Sequence, residues 1–390
     1  MNGIWKADFY VDATLLGSDA LAPFTSTWNT TTYSEGAHGL KVRAYDKAGN
    51  YADSAAVSVT VNNFYVYEAQ DMGKLLGLAD VGATRAFAAS QDFKNMYLAL
   101  TTTIEKTPVV MVVYSLDSGQ TWTPSLLNPT GTSGGSSPAI VLDGSYLHVL
   151  YVSGSELYYA YSKNNGGTWT QVGRLATDVF AGSQPVMGLL PGSTLAHVLY
   201  VNLEGVLTYG SLPLGNKVFS ATDRLYGPAT SPAISVTESG VHVAAFDSKA
   251  KELIYSLRDE TTGKEILAPR NFGPTDAGDY PSIAAGPLGE VLALCGDGAS
   301  NEVLWSVFSA DPASGKWYYH EAAGKVPYVE VAATAVLGPD GKTPVYHAAF
   351  YSLDRRTLSL GRSEDMGKWA SVTLFDGLIN EGGRGPSMLS

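Results

Sequence analysis

The sequence predicts an all-β fold in which one four-stranded unit recurs around a ring, preceded by a smaller β module. Three observations carry this. The residues Ser115-Leu-Asp117-Ser-Gly119-Gln-Thr121-Trp122 return as Ser162-Lys-Asn164-Asn-Gly166-Gly-Thr168-Trp169, 47 positions on at both the serine and the tryptophan. A fixed period of roughly 20–50 residues is the mark of a repeat architecture. Each period also splits into four short runs rich in β-branched and aromatic residues, separated by turn clusters. Finally, pieces of the same unit stand at the two ends of the repeated region, where they can meet.

In chain order, residues 1–63 come first: short alternating strands, frequent turn clusters and a closing run from Ala55 to Val61 of period two, which is sandwich patterning. The first complete unit reads TRAFAAS, NMYLALTT, PVVMVVYSLDSGQTW. The clearest, Ser137 to Leu175, reads SPAIVLDG, YLHVLYV, ELYYAYS and, after a hairpin, TWTQVGRL. Two units follow whose hairpin motifs are eroded, yet Ser162 to Ser256 is 94 positions, twice the period. With a fifth (YPSIAAG onward) and a sixth (VEVAATAVLG onward), six complete units span about Ala83 to Leu378. Before them, Phe64 to Ala79 read as a third-and-fourth-strand hairpin; after them, Gly385-Pro386-Ser387-Met388-Leu389 copies the first strand at Tyr280-Pro281-Ser282-Ile283. The two pieces make one composite unit, and closing the ring removes unpaired sheet edges.

The recurring hairpin has a defined chemistry. Its Asp or Asn accepts backbone N–H bonds, its Gly takes positive φ, and its Trp packs between neighbouring sheets. Asp117 with Trp122 and Asn164 with Trp169 are the full copies; Asp311 with Trp317, Asp365 with Trp369, and Asp71 in Asp71-Met-Gly73-Lys74 are weaker ones. This motif resembles the Asp-box, the BNR repeat of sialidase-like β-propellers. The resemblance implies a seven-bladed propeller over 64–390 with one composite closing blade, or six blades, and a structural role for all the boxes. The first module, with Phe9-Tyr-Val-Asp12, Gly36-Ala-His38-Gly-Leu40 and Asp46-Lys-Ala-Gly49-Asn50, is similar to bacterial immunoglobulin-like domains. Such domains bring one or two earlier strands, so the chain reads as part of a longer polypeptide whose neighbouring domains are partners.

Composition narrows the partners. With 37 acidic against 25 basic residues the net charge is −12, which disfavours nucleic acid or an anionic membrane. The single cysteine, Cys295, sits in the apolar run from Val291 and reads as a core residue. No apolar stretch of ~18 residues could insert into a membrane and no signal peptide is present. The family resemblance implies a secreted or cell-surface bacterial protein, its export signal lying upstream of Met1.

In the propeller resembled, first strands line the central channel, and their N-terminal ends form the face opposite the boxes. The residues at those ends differ between units: Arg85, Ser137, Gln184, Ser231, Tyr280, Glu330 and, from the composite blade, Arg384. Arg85 and Arg384 meet across the closure, and beside Tyr280 and Glu330 their guanidinium groups suit an anionic glycan. Loops between second and third strands add Asp247, Lys249, Asp297, Asp354, Arg355 and Arg356. Five of the seven tryptophans are used in the boxes or, for Trp305, in a third strand, so no free tryptophan platform for a sugar is visible. The resulting reading is an extracellular module that binds a glycan or surface polymer. Against it stand a glycoside hydrolase or polysaccharide lyase, with Tyr280 and Glu330 as candidate catalytic residues, and a structural module for protein contacts. Sialidase chemistry fits poorly, since Thr84-Arg85-Ala86-Phe87 keeps the arginine of the family's opening motif and loses its Ile-Pro. His148, His197, His242 and His347 occupy one position in four second strands, a repeat that argues for packing between blades rather than catalysis. His38 and His320 read as surface or turn residues. Nothing in the sequence calls for a metal or a cofactor.

Overall fold

The computed structural model describes residues 3–30, 33, 36–61, 75–78, 81–90, 94–127, 134–144, 146–180, 182–215, 219–272, 280–286, 288–296, 304–323, 328–337, 344–352, 357–363, 366 and 369–375. The chain divides into two compact units, Met1–Gln70 and Asp71–Ser390. Among the described residues no helix is long and apolar enough to cross a membrane.

Among the described residues of the first unit there is one five-stranded sheet: β1 (Lys6–Val11), β2 (Thr14–Asp19), β3 (Gly36–Tyr45), β4 (Tyr51–Asp53) and β5 (Val57–Val61). The described strands do not form the two layers of a sandwich. The reason is β3, whose ten residues pair with β1 along one edge and with β5 and then β4 along the other, so every strand is absorbed into a single sheet. His38 on β3 is buried, which corrects its reading as a surface residue. Its Nδ1 lies 2.8 Å from Asp12 Oδ2, and the rings of Trp28 and Tyr33 stand edge-on to it at 5.9 and 5.7 Å.

Among the described residues of the second unit, six four-stranded antiparallel sheets follow one another, each a simple meander. They are β6–β9 (Val81–Ala89, Met96–Ile104, Thr107–Ser115, Thr123–Leu126) and β10–β13 (Ser136–Asp143, Tyr146–Ser153, Glu156–Ser162, Thr170–Ala176). Next come β14–β17 (Val186–Leu189, Leu195–Val201, Leu207–Pro213, Ser220–Tyr226) and β18–β21 (Ala229–Thr237, Gly240–Asp247, Glu252–Arg258, Glu265–Phe272). The last two are β22–β25 (Ser282–Ala285, Val291–Gly296, Leu304–Ser309, Tyr318–Ala323) and β26–β29 (Tyr328–Leu337, Pro344–Ser352, Thr357–Ser363, Ala370–Phe375). First strands of successive sheets lie side by side in the order β6, β10, β14, β18, β22, β26, the arrangement of propeller blades.

Burial follows strand position. The second strands are covered on both faces: β19 is buried at every residue, and β15 at all but its first. A strand packed between two sheets needs apolar side chains in both directions, which is why GVHVAAF and LAHVLYV are nearly continuous apolar runs. Outer strands such as β9 and β13 have only one neighbour and stay largely exposed. The cores therefore lie between blades: one joins Tyr97, Ala99 and Val112 of the first to Leu147, Val149 and Ala160 of the second, and another joins Tyr255 and Leu253 of the fourth to Ile283, Ala293 and Cys295 of the fifth. Cys295 is fully buried there, as its apolar run suggests.

The residues expected to form a composite blade lie outside the described set except at Leu75–Leu78. There Leu75 and Leu76 form a helical turn rather than part of the expected fourth strand, and Gly77 at φ +64° ends it. The run Leu75-Leu76-Gly77-Leu78 lacks strand alternation. Leu76 and Leu78 nevertheless pack on Leu100, Met111 and Val113 of the first blade, together with Trp122.

Candidate functional site

Strand register fixes two opposite ends in each blade. The first strand of the second blade starts at Ser136, opposite Val152 near the end of β11, whereas Leu147 at the start of β11 faces Ser162, which opens the Ser-Asn-Gly-Trp hairpin. Strand beginnings thus lie at one face and the recurring hairpins at the other.

At the hairpin face the structure reproduces the chemistry read from the motif. Asp117 accepts the Thr121 hydroxyl at 2.6 Å, the Thr121 backbone N–H at 2.9 Å and the Ser115 hydroxyl at 2.8 Å. These bonds, led by Thr121, hold its carboxyl down at about 2. Asn164 repeats the pattern with Ser162 and Thr168, and Gly119 and Gly166 take φ of +83° and +87°. Trp169 donates to Ser125 of the preceding blade at 2.9 Å. Trp317 lies 4.4 Å from Phe272 and 5.0 Å from Tyr255 of the preceding blade, and Trp369 packs on the core of the fifth. Asp311 caps a single 3-10 turn, Pro312–Ser314, by accepting from Ser314 N. Asp71 and Asp365 lie outside the described residues.

Three of the repeated histidines, His148, His197 and His242, are buried and His347 is half-buried; the partners of the first three lie first within their own blade. Nδ1 of His148, His197 and His242 stands 2.7, 2.6 and 2.8 Å from the hydroxyls of Tyr159, Tyr209 and Tyr255 on the adjoining third strand. Tyr159 Oη also accepts the Gly215 N–H at 3.0 Å, and His197 Nε2 donates to the Glu260 carbonyl at 2.9 Å, so these pairs reach the hairpin of the next blade. Burial lowers the pKa of all four histidines, to about 4 for His148 and His242. Their burial and their repetition suit packing rather than chemistry. Beside His197 a buried Arg258, 1 % exposed, reaches across the junction to pair with Asp223, donates to the Gly263 carbonyl at 2.7 Å and covers the Tyr209 ring at 4.2 Å.

The opposite face carries the candidate ligand residues. Four first strands begin with an X-Pro step: Ser137-Pro138, Gln184-Pro185, Ser231-Pro232 and Tyr280-Pro281. Ser137, Ser231 and Tyr280 take φ of +51°, +48° and +59°, in the left-handed region that costs an ordinary residue about 1–2 kcal/mol. Register slips after Ser136 and after Thr230 place a bulge at two of these steps, and a bulge re-aims side chains. Ser137 is buried, Gln184 exposed, and Tyr280 51 % exposed. Arg85 lies on β6 and Glu330 on β26, their side chains outside the described set; Arg384 is outside it entirely. Of the loop candidates, Asp247 is a buried turn residue that accepts from Tyr226 Oη, Lys249 N and Ala250 N. Asp297, Asp354, Arg355 and Arg356 lie outside the described residues.

One surface feature escaped the sequence reading. Phe180, in the loop before β14, is 50 % exposed at this same face, near Leu203 at 59 %. The signal was present as an aromatic residue inside the loop Asp178-Val-Phe-Ala-Gly-Ser183.

Comparison with known proteins places these units. Residues 2–42 match the family model described as a bacterial Ig domain. No curated protein matches the chain. Among solved structures, AofleA from Arthrobotrys oligospora is 12% identical with a TM-score of 0.50, covering 75% of this chain and 88% of its own. YCF48 bound to D1 peptide is 16% identical with a TM-score of 0.51, covering 75% and 82%. A polysaccharide lyase, an ulvan lyase, is 10% identical with a TM-score of 0.51, covering 76% and 85%. At such identities the likeness is one of fold.

Proposed function

We propose that the propeller binds a glycan at the face where its first strands begin. The observation that carries this is the combination of strained backbone at Ser137, Ser231 and Tyr280 with exposed aromatic rings at Tyr280 and Phe180 on that same face. The strain recurs at repeat-equivalent positions of this face, and at Tyr280 it accompanies a half-exposed ring that offers an apolar surface to sugar C–H groups. The opposite face, by contrast, uses its polar groups to bind itself together. The ulvan lyase is a protein of like fold that acts on a polysaccharide, which accords with the reading without carrying it.

Several finer points belong to the proposal. Arg85 and Arg384, brought together by a composite seventh blade, extend the face with positive charge and allow acidic sugars there. The hairpins are Asp-boxes, the first module is an immunoglobulin-like spacer, and the protein is exported by a bacterium to act outside the cell. The test is a glycan panel read by calorimetry and thermal shift. Wild type gains about 2.7 kcal/mol of stability at a ligand concentration a hundred times Kd. Tyr280→Ala weakens binding, whereas Trp122→Ala lowers stability by about 3–5 kcal/mol and leaves affinity unchanged in folded protein. Should no neutral or acidic glycan move the wild-type melting curve, glycan binding is refuted and a role in protein contacts takes its place.

A further inference from the structure

We infer that the third blade carries a subsite for an uncharged pyranose, built on Phe180; the inference rests on the glycan-binding reading above. The segment before β14 pairs with the end of β15: Phe180 N donates to Val201 O at 2.9 Å, Leu203 N donates to Asp178 O at 2.6 Å, and Val179 bridges Asn202. In an antiparallel ladder opposite residues share a side, so Val179 and Asn202 point inward, where both are buried. Asp178, Phe180 and Leu203 are thereby set on the other side, facing solvent.

The ring is held rather than loose. Ser183 N donates to Phe180 O at 2.8 Å, closing a tight turn, and the Ser183 hydroxyl accepts Val201 N at 3.0 Å, tying that turn to β15. Gly182 lies directly beneath: a Cβ there would stand 2.8 Å from Phe180 Cε1 and 3.4 Å from Cζ. The ring can lie over the turn only because position 182 has no side chain. One side of the ring is therefore covered while the rest of it, half of the residue's surface, is presented to solvent. A fixed aromatic surface matches the apolar C–H face of a pyranose and loses little conformational freedom on binding it.

The polar surroundings select the sugar. Gln184 follows the turn and is exposed, with an amide that can both donate to and accept from hydroxyl groups. Asp178, which accepts the Tyr200 hydroxyl at 3.2 Å, and Glu204, which pairs with Arg224, are the nearby charges. Two carboxylates against one guanidinium accept hydrogen bonds from hydroxyls and repel a uronate or sulfate. The subsite is thus neutral in preference, unlike the Arg85 and Arg384 region.

The experiment uses the full chain against neutral oligosaccharides of hexose, deoxyhexose and N-acetylhexosamine units and uronate-bearing oligosaccharides of equal length. Phe180→Ala is expected to weaken binding of a neutral oligosaccharide about tenfold or more with the melting temperature of the free protein unchanged. Gly182→Ala, which displaces the ring without removing it, weakens binding in the same direction. Phe180→Trp keeps binding, and its added emission shifts on titration with the neutral sugar. If wild type binds neutral glycans and Phe180→Ala binds them equally well, the subsite is refuted while the broader reading stands. If wild type and Phe180→Trp bind no glycan at all, both are refuted together.

Discussion

Tyr159 uses its hydroxyl twice: it accepts the Gly215 N–H and shares a hydrogen bond with His148 Nδ1. Burial keeps the His148 imidazole neutral inside the blade. Tyr159→Phe leaves a buried ring nitrogen and a backbone N–H without their partner, and should cost about 1–3 kcal/mol in urea unfolding. A phenylalanine variant as stable as wild type would remove the bridging role. The four histidines were legible in the sequence because they recur at one position. Their tyrosines were not, since Tyr158, Tyr159 and Tyr161 stand close together on β12, and the register sets Tyr161 opposite His148 while the hydroxyl that meets it belongs to Tyr159, two residues away.

At the scale of the element, the β7–β8 hairpin closes on Glu105 and Lys106, both at positive φ (+48° and +68°), between the paired residues Ile104 and Thr107. This is the two-residue turn that favours Asn-Gly, and neither natural residue suits it. Replacing Glu105→Asn and Lys106→Gly together should stabilise the protein by about 1 kcal/mol, seen as a higher urea midpoint at unchanged slope. No gain would mean that the long side chains make compensating contacts. Strands and hairpin turns of this kind were readable from period and composition. The strained steps were hidden: a residue before proline is expected to be extended, so Ser137-Pro138 and Tyr280-Pro281 read as plain strand starts. Phe180 was hidden for a related reason, because its exposure depends on Gly182 and on pairing with a strand some twenty residues away.

For the whole molecule, the buried histidines predict how stability follows pH. Burial holds the folded pKa of His148 and His242 at about 4, against roughly 6.5 in an unfolded chain. The unfolded state therefore takes up protons first as pH falls. Their contribution is fully present above about 6.5 and is lost as pH drops towards 4, on the order of a few kcal/mol in all. Asp117, held at about 2, does not titrate in this window. Melting temperature should fall between pH 6.5 and 4, and His148→Gln should flatten that fall; an unchanged slope in the variant would assign the pH dependence to other groups.

Five of the links between blades share one pattern. Tyr97 donates to Asn165, Tyr159 accepts from Gly215, His197 donates to Glu260, Arg270 donates to Pro312 and Ser306 donates to Met366. In each case a strand of one blade meets the hairpin of the blade that follows. The second to fifth units thus each carry a hook in their strands and an eye in their hairpin. Duplicating a stretch of gene one unit long copies both halves at once. A ring that grew by such duplication would meet, at each new junction, the contact it already makes at the old ones, so its size could change without inventing an interface.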